Sequence, residues 1–145
     1  MLTESEITDP AREPRLLAVN NQMVVPTGTV VHMQVIGADV IHAFTVPSLG
    51  FKIDAIPGRL NETWFLVERE GMYYGQCSEL CGRDHAFMPI AIWAVSPEKF
   101  DAWVKAAADD LDLAYGLLNQ PPAPAPGATP PAAEDGATAP AANPQ

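Results

Sequence analysis

Residues 71–95, G-M-Y-Y-G-Q-C-S-E-L-C-G-R-D-H-A-F-M-P-I-A-I-W-A-V, hold a cluster of metal-binding side chains between two apolar runs that are typical of strands. The cluster has the spacing C-x3-C-x3-H-x2-M and consists of Cys77, Cys81, His85 and Met88. Thiolate, imidazole and thioether groups are the ligands that soft and borderline metals prefer. The sequence therefore predicts a copper-binding loop between two strands, with a role in electron transfer.

Short β-branched and aromatic runs, separated by Gly and Pro turns, continue on the N-terminal side of this stretch. Their regular spacing predicts an antiparallel sandwich or barrel. One helix should close the domain, with Ser96 as its N-cap and Pro97 at its first position, and the acidic side chains at 109–112 should loosen its end. The predicted strands are residues 16–20 with 23–26, 29–36, 40–46, 51–56, 60–68, 72–77 and 89–95.

Composition divides the 145 residues into three parts. Residues 1–14 are polar and should be loosely ordered, residues 15–118 should form one domain, and the Pro/Ala-rich residues 119–145 should be disordered. No apolar run approaches the roughly 20 residues of a membrane span, and the N-terminus lacks the apolar region of a signal peptide. The net charge of −10 argues against nucleic acid as a partner. From the charge alone, steering of a basic protein partner and a role in solubility only both remain open.

Two thiolates in one loop can bridge two metal ions, and each ion then needs a terminal ligand. His85 can serve one ion, and His42 is the natural candidate for the other. Met88 would be a weak ligand, matched by a backbone carbonyl inside the C-x3-C loop. Three alternatives remain open from spacing alone: a disulfide between Cys77 and Cys81, a thiol redox site, and a tetrahedral zinc site completed by the two histidines.

Three segments carry a resemblance to a known family: D-V-I-H-A-F-T-V-P-S-L-G at 39–50, K-I-D-A-I-P-G-R-L-N at 52–61, and the residues 71–90 quoted above. In this order they resemble the binuclear copper (CuA) domain of cytochrome c oxidase subunit 2, over residues 15–105. The resemblance implies an all-β, cupredoxin-like Greek-key barrel or sandwich with a short C-terminal helix. It also implies a domain that accepts electrons from cytochrome c and passes them to haem a of subunit 1, where oxygen is reduced to water.

The same resemblance implies a role for individual residues. The carboxylate of Glu79 would ligate magnesium at the contact with subunit 1, although this chain alone should bind that ion weakly. Asp39 and Asp54 would help to dock cytochrome c, whereas His32 lies outside every motif and should be a structural or surface histidine. The implied ligands of two copper ions are the side chains of His42, Cys77, Cys81, His85 and Met88 and the backbone carbonyl of Glu79.

Two parts of the family pattern do not occur in this sequence: a pair of membrane helices and an aromatic strand that receives electrons. We therefore expect either an excised soluble domain or one half of a split subunit, whose open sheet edge a separate chain would fill by strand addition. The chain would act on the positive side of an energy-converting membrane, in the bacterial periplasm or the mitochondrial intermembrane space. It would belong to a proton-translocating oxidase without itself reducing oxygen.

Other copper proteins share parts of this motif. A CuA domain of nitrous oxide reductase and a copper chaperone are the alternative interpretations. Nitrous oxide reductase would need a large further copper domain, for which this chain is too short. A copper chaperone of this kind would need a histidine well downstream of the cysteines, and no histidine follows His85. A quinol oxidase subunit of the same fold is excluded because it lacks the ligand set that is intact here.

Overall fold

The structure is a computed structural model that describes residues 1–10 and 12–119. Apart from Asn119, the Pro/Ala-rich tail predicted to be disordered lies outside these residues. Two 3₁₀ turns accompany the regular elements, at Pro47–Leu49 and His85–Phe87. The strands are β1 Met23–Pro26, β2 Val30–Val35, β3 His42–Val46, β4 Phe51–Ala55, β5 Asn61–Leu66, β6 Gly71–Gln76 and β7 Pro89–Val95, followed by helices α1 Pro97–Ala107 and α2 Leu111–Leu118.

The strands of the described residues form three sheets, which together make the predicted all-β sandwich. The first sheet has the order β1-β7-β6, and the other two are the pairs β2-β5 and β3-β4. All pairs are antiparallel except β1-β7, which is parallel. An alternating apolar pattern identifies strands but not their relative direction, so the sequence did not predict this parallel pair.

A continuous apolar core lies between the sheets. Val46 and Ile92 are fully buried at its centre. Three rings from different strands stack across it: Phe44 and Phe51 lie 6.1 Å apart between centroids, and Phe51 and Phe65 lie 5.3 Å apart. Burying a side chain of this size stabilises a fold by about 1.5–3 kcal/mol, so these contacts hold the β3-β4 and β2-β5 pairs together.

Two helices, and not the single predicted one, follow β7. Ser96 caps α1 as predicted, because its hydroxyl oxygen accepts a hydrogen bond from the Lys99 backbone N–H. The acidic residues that were expected to loosen the helix end instead begin α2, where the Asp110 side chain accepts from the Leu113 N–H at 3.0 Å. Leu118 then packs against β1 and β7. Among the helices of the described residues, none has the length and apolar character needed to span a membrane.

The N-terminal segment before β1 lies against the β1-β7-β6 sheet. The Leu2 N–H donates to the Ala18 carbonyl at 2.9 Å, and the Tyr74 hydroxyl donates to the Arg12 carbonyl. The Arg12 guanidinium lies 4.2 Å from the centroid of the Trp93 ring, in cation–π geometry. This segment covers the face of the sheet beside the helices.

Strands β3 and β6 cross with almost no space between their backbones. A Cβ atom at Gly75 would lie 1.9 Å from the Thr45 carbonyl oxygen. Just beyond this crossing, the Ser78 N–H donates to the Ala43 carbonyl at 3.0 Å. Only glycine permits the approach, and the approach brings the start of β3 beside the end of β6.

Gly75→Ala should therefore destabilise the fold by about 1–3 kcal/mol or more, because the added methyl group overlaps a backbone carbonyl. Gly116→Ala is the matched control, since nothing lies within 4 Å of its Cβ position in α2. It should stabilise the protein by about 0.5–1 kcal/mol, the helix preference of Ala over Gly. Urea unfolding of the metal-free protein measures both effects. Equal midpoints for the two variants would contradict the proposed steric constraint.

Candidate metal centre

Strand ends bring the predicted ligands to one edge of the sandwich. His42 is the first residue of β3, Cys77 directly follows β6, and Met88 directly precedes β7. The loop between β6 and β7 adds Cys81 and also His85, which begins a 3₁₀ turn. The Cys77 N–H closes this loop by donating to the Met88 carbonyl at 3.0 Å. The ligand positions therefore depend on the sheet and not on the loop alone.

Each thiol has its own imidazole. The Cys77 Sγ lies 3.9 Å from His42 Nδ1, and the Cys81 Sγ lies 3.6 Å from His85 Nδ1. The two sulfurs are 4.0 Å apart, whereas a disulfide needs about 2.05 Å, and both cysteines are free. The arrangement is thus two neighbouring sulfur–nitrogen pairs.

A third donor accompanies each pair. The Met88 Sδ lies 3.5 Å from the Cys81 Sγ, and the Glu79 carbonyl oxygen lies 3.3 Å from the Cys77 Sγ. The structure therefore brings together all six donors that the sequence analysis named. Each half of the cluster consists of a thiol, an imidazole and one weaker ligand.

The chemistry of this donor set fits copper. The 4.0 Å between the sulfurs is less than twice a typical metal–thiolate distance of about 2.3 Å, so a single ion can contact both. Ligand atoms of His42, Cys77 and Cys81 all lie within 4.8 Å of one another. Structural zinc sites use four Cys or His ligands, whereas a weak thioether beside thiolate and imidazole is characteristic of copper electron-transfer sites.

The two thiols differ in acidity. Burial alone would raise the pKa of Cys77, but backbone hydrogen bonds at Glu79 and Ala43 and the two histidine rings outweigh it and lower that pKa to about 6. Burial and the adjacent Cys77 sulfur raise the pKa of the Cys81 thiol.

Asp39 orients His42. Its Oδ1 lies 2.7 Å from His42 Nε2, which leaves Nδ1 directed toward Cys77. The hydrogen bond to Asp39, together with the Cys77 sulfur, raises the pKa of His42, and the same bond lowers the pKa of Asp39. A carboxylate on the outer nitrogen of a histidine ligand fixes its tautomer and ring orientation. Sequence analysis assigned Asp39 only to partner docking. Its position three residues before His42 could have indicated that its carboxylate contacts the His42 ring.

Asp54 and His32 lie outside the donor cluster. The Asp54 carboxylate accepts from Lys52 Nζ at 2.7 Å on β4. Glu79, whose carbonyl is one of the six donors, is an exposed residue of the loop. His32 is exposed on β2, opposite Trp64 of β5. Sequence analysis gave no role to Gln76, whose side-chain amide contacts the ligand loop, because a glutamine before a cysteine has no distinctive spacing.

The fold and the donor set define a β-sandwich protein with a two-thiol donor cluster whose chemistry suits copper. The family described as "Cytochrome C oxidase subunit II, periplasmic domain" matches residues 1–95. This match covers more than half of the chain, and the chain belongs to that family.

Individual relatives agree with this assignment. Cytochrome c oxidase subunit 2 of Mycosarcoma maydis is 59% identical over 108 residues, which are 74% of this chain and 42% of the relative. The corresponding subunit of Cereibacter sphaeroides is 55% identical over 97 residues, which are 67% of this chain and 32% of the relative. This chain therefore spans less than half the length of these relatives.

Two solved structures are also similar. The periplasmic domain of cytochrome oxidase subunit II (CoxB) of Bradyrhizobium japonicum has a TM-score of 0.65 and 62% identity, covering 69% of this chain and 72% of its own. The second is a mixed disulfide intermediate between the thioredoxin-like TlpAs and subunit II of cytochrome c oxidase. It has a TM-score of 0.58 and 64% identity, covering 66% of this chain and 68% of its own.

Asp39→Ala should weaken copper binding by about tenfold or more, the usual effect of removing the partner of a histidine ligand. Asp54→Ala is the matched control, because its carboxylate pairs with Lys52 and contacts none of the six donors. Competition between each protein and a copper chelator of known affinity measures the change. Equal affinities for the two variants would show that Asp39 does not orient His42.

Proposed function

We propose that this chain holds two copper ions between Cys77 and Cys81 and serves as the electron-transfer domain of a cytochrome c oxidase. One observation carries the proposal: two neighbouring thiols are accompanied by two imidazoles and by two weaker donors, a thioether and a backbone carbonyl. A copper pair bound there would supply one-electron redox chemistry. A single metal ion would leave part of this duplicated set unused.

Fast electron transfer requires ligands that move little between oxidation states, and the chain restricts them in two ways. Backbone hydrogen bonds hold the loop to β3 and to the start of β7, at Ser78–Ala43 and Cys77–Met88. Cys77 is also only 7% exposed, so water has little access to this residue. These features support a rigid site that is buried at Cys77.

The surface around the ligands suits protein partners. Leu80 and Phe87 of the ligand loop are 79% and 55% exposed, and the chain carries a net charge of −10. Exposed apolar side chains on a chain of net negative charge favour a basic partner that approaches by electrostatic steering. Cytochrome c is the proposed donor, with Asp39 contributing to docking. Asp54 should contribute less, because Lys52 offsets its charge.

The proposed acceptor is haem a of subunit 1, in a proton-translocating complex on the periplasmic or intermembrane-space side of its membrane. Oxygen reduction would occur in subunit 1 and not in this chain. The Glu79 carboxylate would contribute to a magnesium site at that contact. The family membership and the exposure of Glu79 support this assignment.

A thioredoxin-like protein is a further proposed partner. A solved relative was captured as a mixed disulfide with such a protein, and the two thiols of this chain lie 4.0 Å apart. In an oxidising compartment they can form a disulfide, which cannot hold copper. A partner dithiol would then reduce the Cys77–Cys81 bond and itself become oxidised to a disulfide. Copper loading would follow this reduction.

Electron paramagnetic resonance of the copper-loaded protein, with copper counted per chain, tests the main proposal. We expect two coppers that share one unpaired electron equally. Cys77→Ser and Cys81→Ser should each abolish that signal, since one thiolate cannot hold the pair, and His32→Ala should leave it unchanged. A single localised copper in the unmodified protein, or an unaltered signal in either serine variant, would refute the proposal.

Met88→Leu should retain two coppers and shift the reduction potential, because it removes only a weak ligand of one half. Protein-film voltammetry measures the potential, and metal analysis gives the copper content. Retention of a single copper would show that the thioether is needed to hold the second ion.

A further inference from the structure

The Ala86 carbonyl lies in the ligand loop between His85 and Met88. In a 3₁₀ turn this oxygen would accept from the backbone N–H three residues later. That residue is Pro89, which has no N–H to donate. The next residue, Ile90, belongs to the ladder between β6 and β7. Ala86 is exposed, so its carbonyl is open either to water or to a donor from outside its own turn.

Gln76 supplies that donor. Its Nε2 lies 2.7 Å from the Ala86 oxygen, and the residue ends β6, directly before Cys77. Its side chain thus reaches from the sheet to the far half of the loop. The only other described hydrogen bond joining this strand end to that half of the loop is the one from the Cys77 N–H to the Met88 carbonyl.

We infer that Gln76 is a positioning residue of the metal centre, whose amide fixes the turn that carries His85 and Met88. This inference rests on the function proposed above. The two ligands of that turn lie 3.6 and 3.5 Å from the Cys81 Sγ, whereas His42 stands on β3. Loss of the amide should therefore disturb the positions of His85 and Met88 more than that of His42.

Gln76→Ala and Gln76→Glu test this role in the full chain. Glutamate preserves the size of the side chain, but its carboxylate has no hydrogen to donate at neutral pH. Both variants should bind two coppers and release copper to a chelator about tenfold faster, in keeping with the loss of one hydrogen bond. Their resonance spectra should differ from that of the unmodified chain. Gln76→Ala, which adds no charge, should also shift the reduction potential, by a smaller amount than Met88→Leu.

Gln34→Ala is the matched control. Its side chain also makes one surface hydrogen bond, from Nε2 to the Glu62 carboxylate at 2.7 Å, but it lies on β2, away from the ligands. It should leave the spectrum, the potential and the release rate unchanged. Circular dichroism of each metal-free variant confirms folding, and Gln76→Glu replaces Gln76→Ala if the latter does not fold.

The outcomes separate this inference from the proposed function. If the unmodified chain holds a shared-electron copper pair and both Gln76 variants match it in spectrum, potential and release rate, the positioning role is refuted and the proposed function stands. If the Gln76 variants lose only folding stability, their role is purely structural and the inference is likewise refuted. If the unmodified chain does not bind a copper pair, both the inference and the proposed function fail.

Discussion

The close crossing of β3 and β6 is the constraint on which the site depends. Gly75 has no side chain, so its backbone can approach the Thr45 carbonyl to a distance that any Cβ atom would prevent. Gln76 and then Cys77 follow Gly75 along the chain, and the other strand begins at His42. Cys77 and His42 are 35 positions apart in sequence, yet the Cys77 Sγ lies 3.9 Å from His42 Nδ1. The metal centre is a consequence of how two strands pass each other.

The rest of the fold stabilises this crossing from a distance. The stacked rings of Phe44, Phe51 and Phe65 join β3 to the strands across the sandwich. On the opposite side, α2 and the N-terminal segment cover the sheet that carries β6 and β7. Both ends of the ligand loop therefore leave buried strands. The loop itself can remain exposed, as the 36% exposure of Met88 shows, without losing the position of its donors.

Sequence reasoning recovered the parts of the molecule that local patterns encode. The loop ligands follow from a fixed spacing, and Ser96 follows from cap chemistry. Three features were not predicted from the sequence, because they depend on tertiary structure or because one local pattern allows two interpretations. The parallel direction of β1 and β7 is set by the path of the whole chain. Asp110 can either loosen a helix end or cap a new helix, and the role of Asp39 toward His42 becomes visible only when the ring is placed.

The two imidazoles of the site are held by different means. His42 is fixed by a strand and by the Asp39 carboxylate, which adds negative charge beside its ring. His85 is fixed by a short turn, which the neutral amide of Gln76 contacts. Because the described hydrogen bonds place a carboxylate on His42 and none on His85, the protein environment is asymmetric before any metal binds. If two copper ions bound here share one electron equally, the cause would have to be the bridging sulfurs, because the protein around the two ions is not symmetric.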